Sequence, residues 1–368
     1  MRFSIQTGKL AEALSTVTRA LSSRTTNPIL DGILIEAGSN FIQLTCSDER
    51  ITIITRAEAT VEEPGRGVVP GKLFNEMVRR MPDCEMKISM SETFQFRIVC
   101  QTSRMNLSGQ DADLFPLPGI VDGDLEITLP QVMLKDMIAK TEFAIAQDDM
   151  REVLTGCFLE VRGGDAVMVA CDGFRLGMVK NACSDVSSAM SAIIPGRAVG
   201  DIGRLLKDGE DDFCTLSFEH NRLHLNLAGT DIYVVLVEGE YIDYRRILPT
   251  QFATRAVVDL ESMRRCVDRA ALIAREGSNN LVKFRLEDGR LFIESNSEIG
   301  DVHEEIDAEQ EGADITISFN VKYMMDVVRT IEADKVEMNF NTPITPCVIT
   351  PVNNRDYVHL VLPVRTQA

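Results

Sequence analysis

The sequence predicts an α+β chain of three similar domains, each with two helices packed on antiparallel sheets. Three observations carry that expectation. A strand-then-helix opening occurs as "MRFSIQTGKLAEALSTVTRAL", as "LEITLPQVMLKDMIAKTEFAI" from Leu125 and as "TRAVVDLESMRRCVDRAALIA" from Thr254. A second strand-turn-helix half follows each opening: "GVVPGKLFNEMVRRMPD", "SAIIPGRAVGDIGRLLKDG" and "ITISFNVKYMMDVVRTIEAD". The copies start at residues 1, 125 and 254, spacings of 124 and 129 residues, each the length of an ordinary domain.

In chain order, Leu10, Leu14, Val17 and Leu21 fall on one face of a helix expected over 8–24. The next helix, over 72–80, starts just after Pro70, where a missing N–H costs little, and Pro195 stands likewise before a helix over 196–207. Helices are also expected over 131–151, 259–275 and 321–332. Between them lie alternating segments with turn punctuation, such as "FIQLTCSDERITIITRAEA", "DAVMVACDGFRLGMVKNA" and "RLFIESNSEIGDVHEEI", which read as strands. The expected domains are 1–122, 123–250 and 251–368.

Composition is that of an ordinary globular chain, 45% hydrophobic and 26% charged. No run approaches 18 apolar residues, and the start lacks the sections of a signal peptide, so a soluble, cytoplasmic protein without a membrane partner is expected. The nine cysteines form no C-x-x-C pair and mostly sit in apolar runs; they are expected to be buried free thiols. The four histidines are scattered, with His220 and His224 flanking a turn, and no metal site is expected.

A net charge of −18 argues against a nucleic-acid partner only if it is evenly spread. The six helical segments hold 18 Lys/Arg against 12 Asp/Glu, and the rest of the chain 20 against 44. Basic side chains recur in every helix: Arg19 and Arg24, Arg79 and Arg80, Lys135 and Lys140, Arg197 and Arg204, Arg264 and Arg265, Lys322 and Arg329. Any solvated helix carries some Lys and Arg; the repetition points further, to helices lining one surface that holds a polyanion through its phosphates. No base-reading motif accompanies them, so binding would be sequence-independent and salt-sensitive.

The stretch "ACDGFRLGM" (170–178) sets a thiol, a carboxylate, a turn glycine and a guanidinium side by side. Ser47-Asp48 and, less well, Ser295-Asn296 stand at the equivalent turns, so a structural turn explains Asp172 better than catalysis does. A nucleophilic Cys171 would need a nearby histidine, and none is identifiable. "PGKL" lacks the upstream glycine and the Ser/Thr of a phosphate loop, and "HEEID" lacks the second histidine of a zinc protease.

The whole chain resembles the beta sliding clamp family, the processivity subunits of bacterial replicative DNA polymerase III. The resemblance rests on "ACDGFRL" (similar to the family's T-D-G-H-R-L), "DYRRILP" (243–249), "SFNVKY" (318–323), "VLPVR" (361–365), "VVPGK" and "NPIL", in that three-unit context. It implies a DNA clamp fold and a head-to-tail homodimeric ring around duplex DNA, with no reaction and no cofactor. The implied partners are the DNA polymerase III alpha subunit, a clamp loader, and other polymerases and repair proteins, held through short Gln-Leu-x-Leu-Phe-like peptides. The implied peptide pocket comprises Leu154, Cys171, Gly173, Phe174, Arg175 and Leu176; Ile242, Arg246 and Ile247; and Asn320, Tyr323, Pro346, Leu360, Val361, Leu362, Pro363, Val364 and Arg365. Apolar anchors there are worth about 1.5–3 kcal/mol each when fully buried, with Arg175, Arg246 and Arg365 expected to bond the peptide's polar groups. Phe174 and Cys171 replace the usual His and Thr, Ile242 stands where Pro is common, and "TQA" extends the end. The DNA-binding candidates are Arg24, Arg79, Arg80, Lys140, Arg197, Arg204, Arg265 and Lys322; the ring seam maps to Met105, Leu107, Leu272 and Ile273, of which the helical pair fits a core role equally well. Two other readings stay open from the residues: an acidic peptide-binding scaffold that does not touch DNA, and an enzyme with a cysteine site.

Overall fold

The computed structural model describes residues 1–22, 27–119, 125–148, 150–183, 189–277 and 280–365. Among them are seven α-helices: α1 (Thr7–Val17), α2 (Gly71–Arg79), α3 (Gln131–Ala139), α4 (Gly196–Leu205), α5 (Tyr244–Ile247), α6 (Leu260–Ala274) and α7 (Val321–Thr330). None is long and apolar enough to cross a membrane. The strands form antiparallel sheets of five, eight and twelve. This is the expected α+β class, with two main helices in each repeat.

Two helices are shorter than expected, and hydroxyls end both. Thr18 Oγ1 donates to the Leu14 carbonyl at 2.7 Å, and the chain passes through a 3-10 turn into extended backbone at Leu21. The helix expected over 131–151 stops at Ala139, where buried Thr141 donates to the Met137 carbonyl at 2.8 Å. A hydroxyl that bonds the preceding turn competes with continuation of the helix. The single turn α5 lies in "DYRRILP", a segment too short for periodicity to reveal.

The chain divides into two compact units, Met1–Val132 with Arg204–Leu236, and Met133–Gly203 with Val237–Ala368. In the first unit, Leu10, Leu14 and Val17 of α1 are fully buried, and α1 packs on α2 and on the strands Phe41–Ser47 and Ile51–Glu58. Its eight-stranded sheet runs from the first repeat into the second, because Ile51–Glu58 pairs with Thr230–Val235. In the second unit, Arg175–Ala182 pairs in the same way with Tyr357–Val361, and the resulting twelve-stranded sheet joins the second repeat to the third. There α6 packs on α7, and Arg264 donates to the Val328 and Ile331 carbonyls at 3.1 Å each, capping the end of α7.

Two expectations need correction. Cys84 and Cys100 form a disulfide, because the hairpin pairing Glu85–Met90 with Gln95–Cys100 sets its two ends side by side. Among the described residues the other seven cysteines form no disulfide, and all but Cys183 are buried. In the third repeat, the turn that should match Ser47-Asp48 lies one residue later than Ser295-Asn296: Asn296 still pairs with Asp301, and the chain reverses between Ser297 and Gly300, where Ile299 N–H donates to Ser297 Oγ at 3.3 Å as Phe174 N–H does to Asp172.

Candidate functional site

The "ACDGFRLGM" stretch closes the hairpin between the strands Asp165–Cys171 and Arg175–Ala182. Asp172 Oδ1 accepts from the backbone N–H of Phe174 at 2.9 Å and of Arg175 at 3.0 Å, and the Asp172 N–H returns a bond to the Arg175 carbonyl at 3.2 Å. Gly173 sits at φ 90°, a backbone region costly for other residues, and its N–H meets Cys171 Sγ at 3.3 Å. The acid and the glycine build a turn, and the turn projects Phe174 outward with 58% of its surface exposed.

Arg175, expected at the pocket surface, is turned inward. Only 7% of it is exposed. Its Nε donates to Asp172 Oδ2 at 3.0 Å, Nη1 bonds Asp326 of α7, and the guanidinium lies over the rings of Tyr323 at 4.7 Å and Phe143 at 5.3 Å. Its planar, multiply donating head ties the second repeat to the third inside their shared unit. Asp326 and Phe143, its partners, carry no sequence signal for this role.

Around this tie several of the residues expected at the pocket pack together. Leu154, Cys171, Leu176 and Leu360 belong to one buried cluster with Tyr241 and Tyr244, and Ile242 and Leu362 pack against it half-buried. Val361 is fully buried as well. These residues are buried and do not present a free face. Outside the cluster, Phe174 stacks on Tyr323 with centroids 6.1 Å apart, Ile247 is exposed, and Leu362, Pro363 and Val364 are half-buried. Backbone bonds hold the last segment in place: Leu362 N–H donates to the Phe174 carbonyl and Val364 N–H to the Ser318 carbonyl, both at 2.8 Å. Asn320 caps α7 by accepting from Lys322 N–H at 2.9 Å, and Pro346 is half-buried. The connecting stretch is anchored by Tyr241, stacked on Phe158 at 5.1 Å, and by Tyr244, which donates to Glu160 at 3.3 Å. Arg246, its side chain 86% exposed and paired with Asp243 at 3.0 Å, and Arg365, also exposed, both face solvent. Burial pushes the Cys171 thiol up, the opposite of the lowered value that a nucleophilic cysteine uses.

Three family models match the chain in sequence order: the N-terminal domain of the DNA polymerase III beta subunit over residues 1–118, the central domain over 128–243 and the C-terminal domain over 245–365. The chain belongs to the DNA polymerase III beta subunit family. It is 35% identical over 376 residues to the beta sliding clamp of Staphylococcus aureus strain Mu50, and 36% identical over 378 residues to that of Staphylococcus epidermidis, each match covering both chains in full. The crystal structure of the Bacillus subtilis DNA polymerase sliding clamp superposes with a TM-score of 0.96 at 31% identity, again over the whole of both chains. The function is that of a DNA sliding clamp, a processivity factor that catalyses no reaction.

In this member of the beta subunit family, the basic candidates are not equivalent. Arg79 ends α2 in solvent and Arg80 follows it, exposed and 3.5 Å from Glu76; Arg204 is exposed near the end of α4, and Lys322 is exposed on the first turn of α7. Arg197 and Arg265 are exposed and each faces a carboxylate one turn along, Asp201 at 3.9 Å and Glu261 at 2.8 Å. Lys140 departs from the expectation: its side chain is 20% exposed, bonded to Asp136 at 2.6 Å, with Nζ 5.0 Å from the centre of the Tyr357 ring. Arg24 lies outside the described residues.

The seam candidates also divide. Leu272 is 66% exposed on α6 and Ile273 half-buried beside it, so neither is ordinary core. Met105 is half-buried, but Leu107 turns inward opposite Phe96 and is 8% exposed, so it supports its own sheet. Ile299, 70% exposed in the turn whose Gly300 lies beside Ile273, enlarges the apolar face on α6. A lone isoleucine in a polar turn gave no sequence signal.

Proposed function

We propose that two copies of this chain close head to tail into a cytoplasmic ring of six domains, cut as 1–122, 123–250 and 251–368, around duplex DNA. The ring tethers the polymerase III alpha subunit, and the clamp loader and repair proteins in turn, by short peptides. Membership of the beta subunit family carries this reading. The exposed basic residues Arg79, Arg80, Arg197, Arg204, Arg265 and Lys322 on helices of both units support it, because phosphate contacts need charge without base recognition. Leu272, Ile273, Ile299 and Met105 supply the seam.

The peptide sits against Phe174, Tyr323, Ile247 and Leu362, with Arg246 and Arg365 at the edge. An apolar rim over a packed floor receives Leu and Phe anchors, and association costs reduce the gain to micromolar affinity, about −8 kcal/mol. The test of the ring is retention after loading on circular DNA and on the same DNA linearised. A ring stays on the circle and runs off free ends; equal retention on both, or none on either, refutes it.

A further inference from the structure

The turn at Ser47–Ile51 reproduces the Phe174 turn bond for bond. Asp48 Oδ1 accepts from Arg50 N–H at 3.1 Å and Ile51 N–H at 2.8 Å, the Asp48 N–H donates to the Ile51 carbonyl at 3.1 Å, and Glu49 N–H donates to Ser47 Oγ at 3.2 Å. Glu49 takes the left-handed position of Gly173, at φ 73°. The incoming strand matches too. Val235 N–H donates to the Arg50 carbonyl at 2.8 Å, as Leu362 does to Phe174, and Ile51 pairs with Val234 as Arg175 pairs with Val361. A connecting stretch ending in Leu-Pro follows in both places, Leu117-Pro118 here and Leu248-Pro249 there.

The first unit thus contains a counterpart of the peptide pocket, and it is open. A cavity of about 200 Å³ lies between the turn, the segment Pro116–Gly119 and the strand end Tyr233–Val235. Leu117 and Val235 expose apolar surface into solvent, and Tyr233 is held against the His224 ring at 4.5 Å, with His224 bonded to Asp231 at 2.8 Å. The volume falls below the roughly 300–1,000 Å³ of a small-molecule site and suits one large side chain. Charge separates the two pockets. Where the first rim has Phe174, this one has exposed Arg50, and exposed Arg222 lies across Gly119; among the described residues Glu49 is the one acidic residue lining the cavity.

We propose that this cavity is a second peptide site, taking one Leu or Phe anchor of an acidic segment whose carboxylates pair with Arg50 and Arg222. The proposal rests on the peptide reading of the Phe174 pocket, and its test separates the two. The full-length chain is titrated calorimetrically with the peptide acetyl-Glu-Asp-Asp-Leu-Phe, in wild type, Arg222→Glu and Ile247→Asp, with thermal melts to confirm folding. Two sites per chain are expected, Arg222→Glu weakening one at least tenfold and Ile247→Asp only the other. If Arg222→Glu removes a site and Ile247→Asp removes none, the second site stands and the Phe174 reading falls. A single site untouched by Arg222→Glu, or no binding, overturns the proposal. So does self-association, seen by sedimentation without peptide, that Arg222→Glu abolishes, since the occupant is then another copy of the chain.

Discussion

Arg175 holds two carboxylates and two ring faces while almost none of it meets water. Removing one member of a buried ionic group strands the others, at a cost of about 3–5 kcal/mol. Arg175→Ala is therefore expected to lower stability by about 3 kcal/mol in denaturant unfolding, whereas Arg246→Ala, at an exposed pair, changes it by less than about 1 kcal/mol. Equal effects would place Arg175 at the ligand surface and not in the framework. The motif was readable in the chain; the arginine's task was not. Its decisive partner, Asp326, lies 151 residues away, and no local pattern distinguishes that aspartate from any other on a solvated helix.

At the scale of elements, the strand Tyr357–Val361 carries His359 into a fully buried place between Phe143 and Tyr357, where neither ring nitrogen has a hydrogen-bond partner. Burial first, and the Lys140 charge second, press its pKa down from 6.5 to about 3. Below about pH 6.5 the unfolded chain binds a proton that the folded strand refuses, so stability falls as pH drops towards 3 and this loss is absent above 6.5. Between pH 7 and pH 5 the wild type should lose about 2 kcal/mol more than His359→Leu, measured by urea unfolding at each pH. Parallel pH profiles would mean that His359 protonates in place. Periodicity located the helices and alternating strands well, because one buried face imposes a period on the residues. It missed the ends of α1 and α3, where single threonine hydroxyls decide, and the one-turn α5, which has no period. Lys140 was misread for the same reason: a lysine at helical spacing looks solvated until Asp136 and Tyr357 are known to enclose it.

For the whole molecule, the repeat and the charge segregation were legible because both are sums over many residues. The proposed seam was harder to read: an apolar "AALIA" on a helix fits a core or an interface equally, and the exposure of Leu272 speaks against the core. With Ile299 beside them, Leu272→Ala plus Ile273→Ala should shift the chain from dimer to monomer in sedimentation at micromolar concentration, with the melting temperature of the monomer unchanged. An unaltered dimer would move the seam elsewhere.

The continuation of each sheet across a repeat boundary has a consequence for how the protein comes apart. Strands of the middle repeat are hydrogen-bonded into sheets of both units, Thr230–Val235 to the first repeat in one and Arg175–Ala182 to the third in the other. What repeats in the sequence is then not what melts as a block. Scanning calorimetry should resolve two cooperative transitions and not three, and a fragment cut out as residues 123–250 should fail to fold, having lost the neighbour strands on which both of its halves depend.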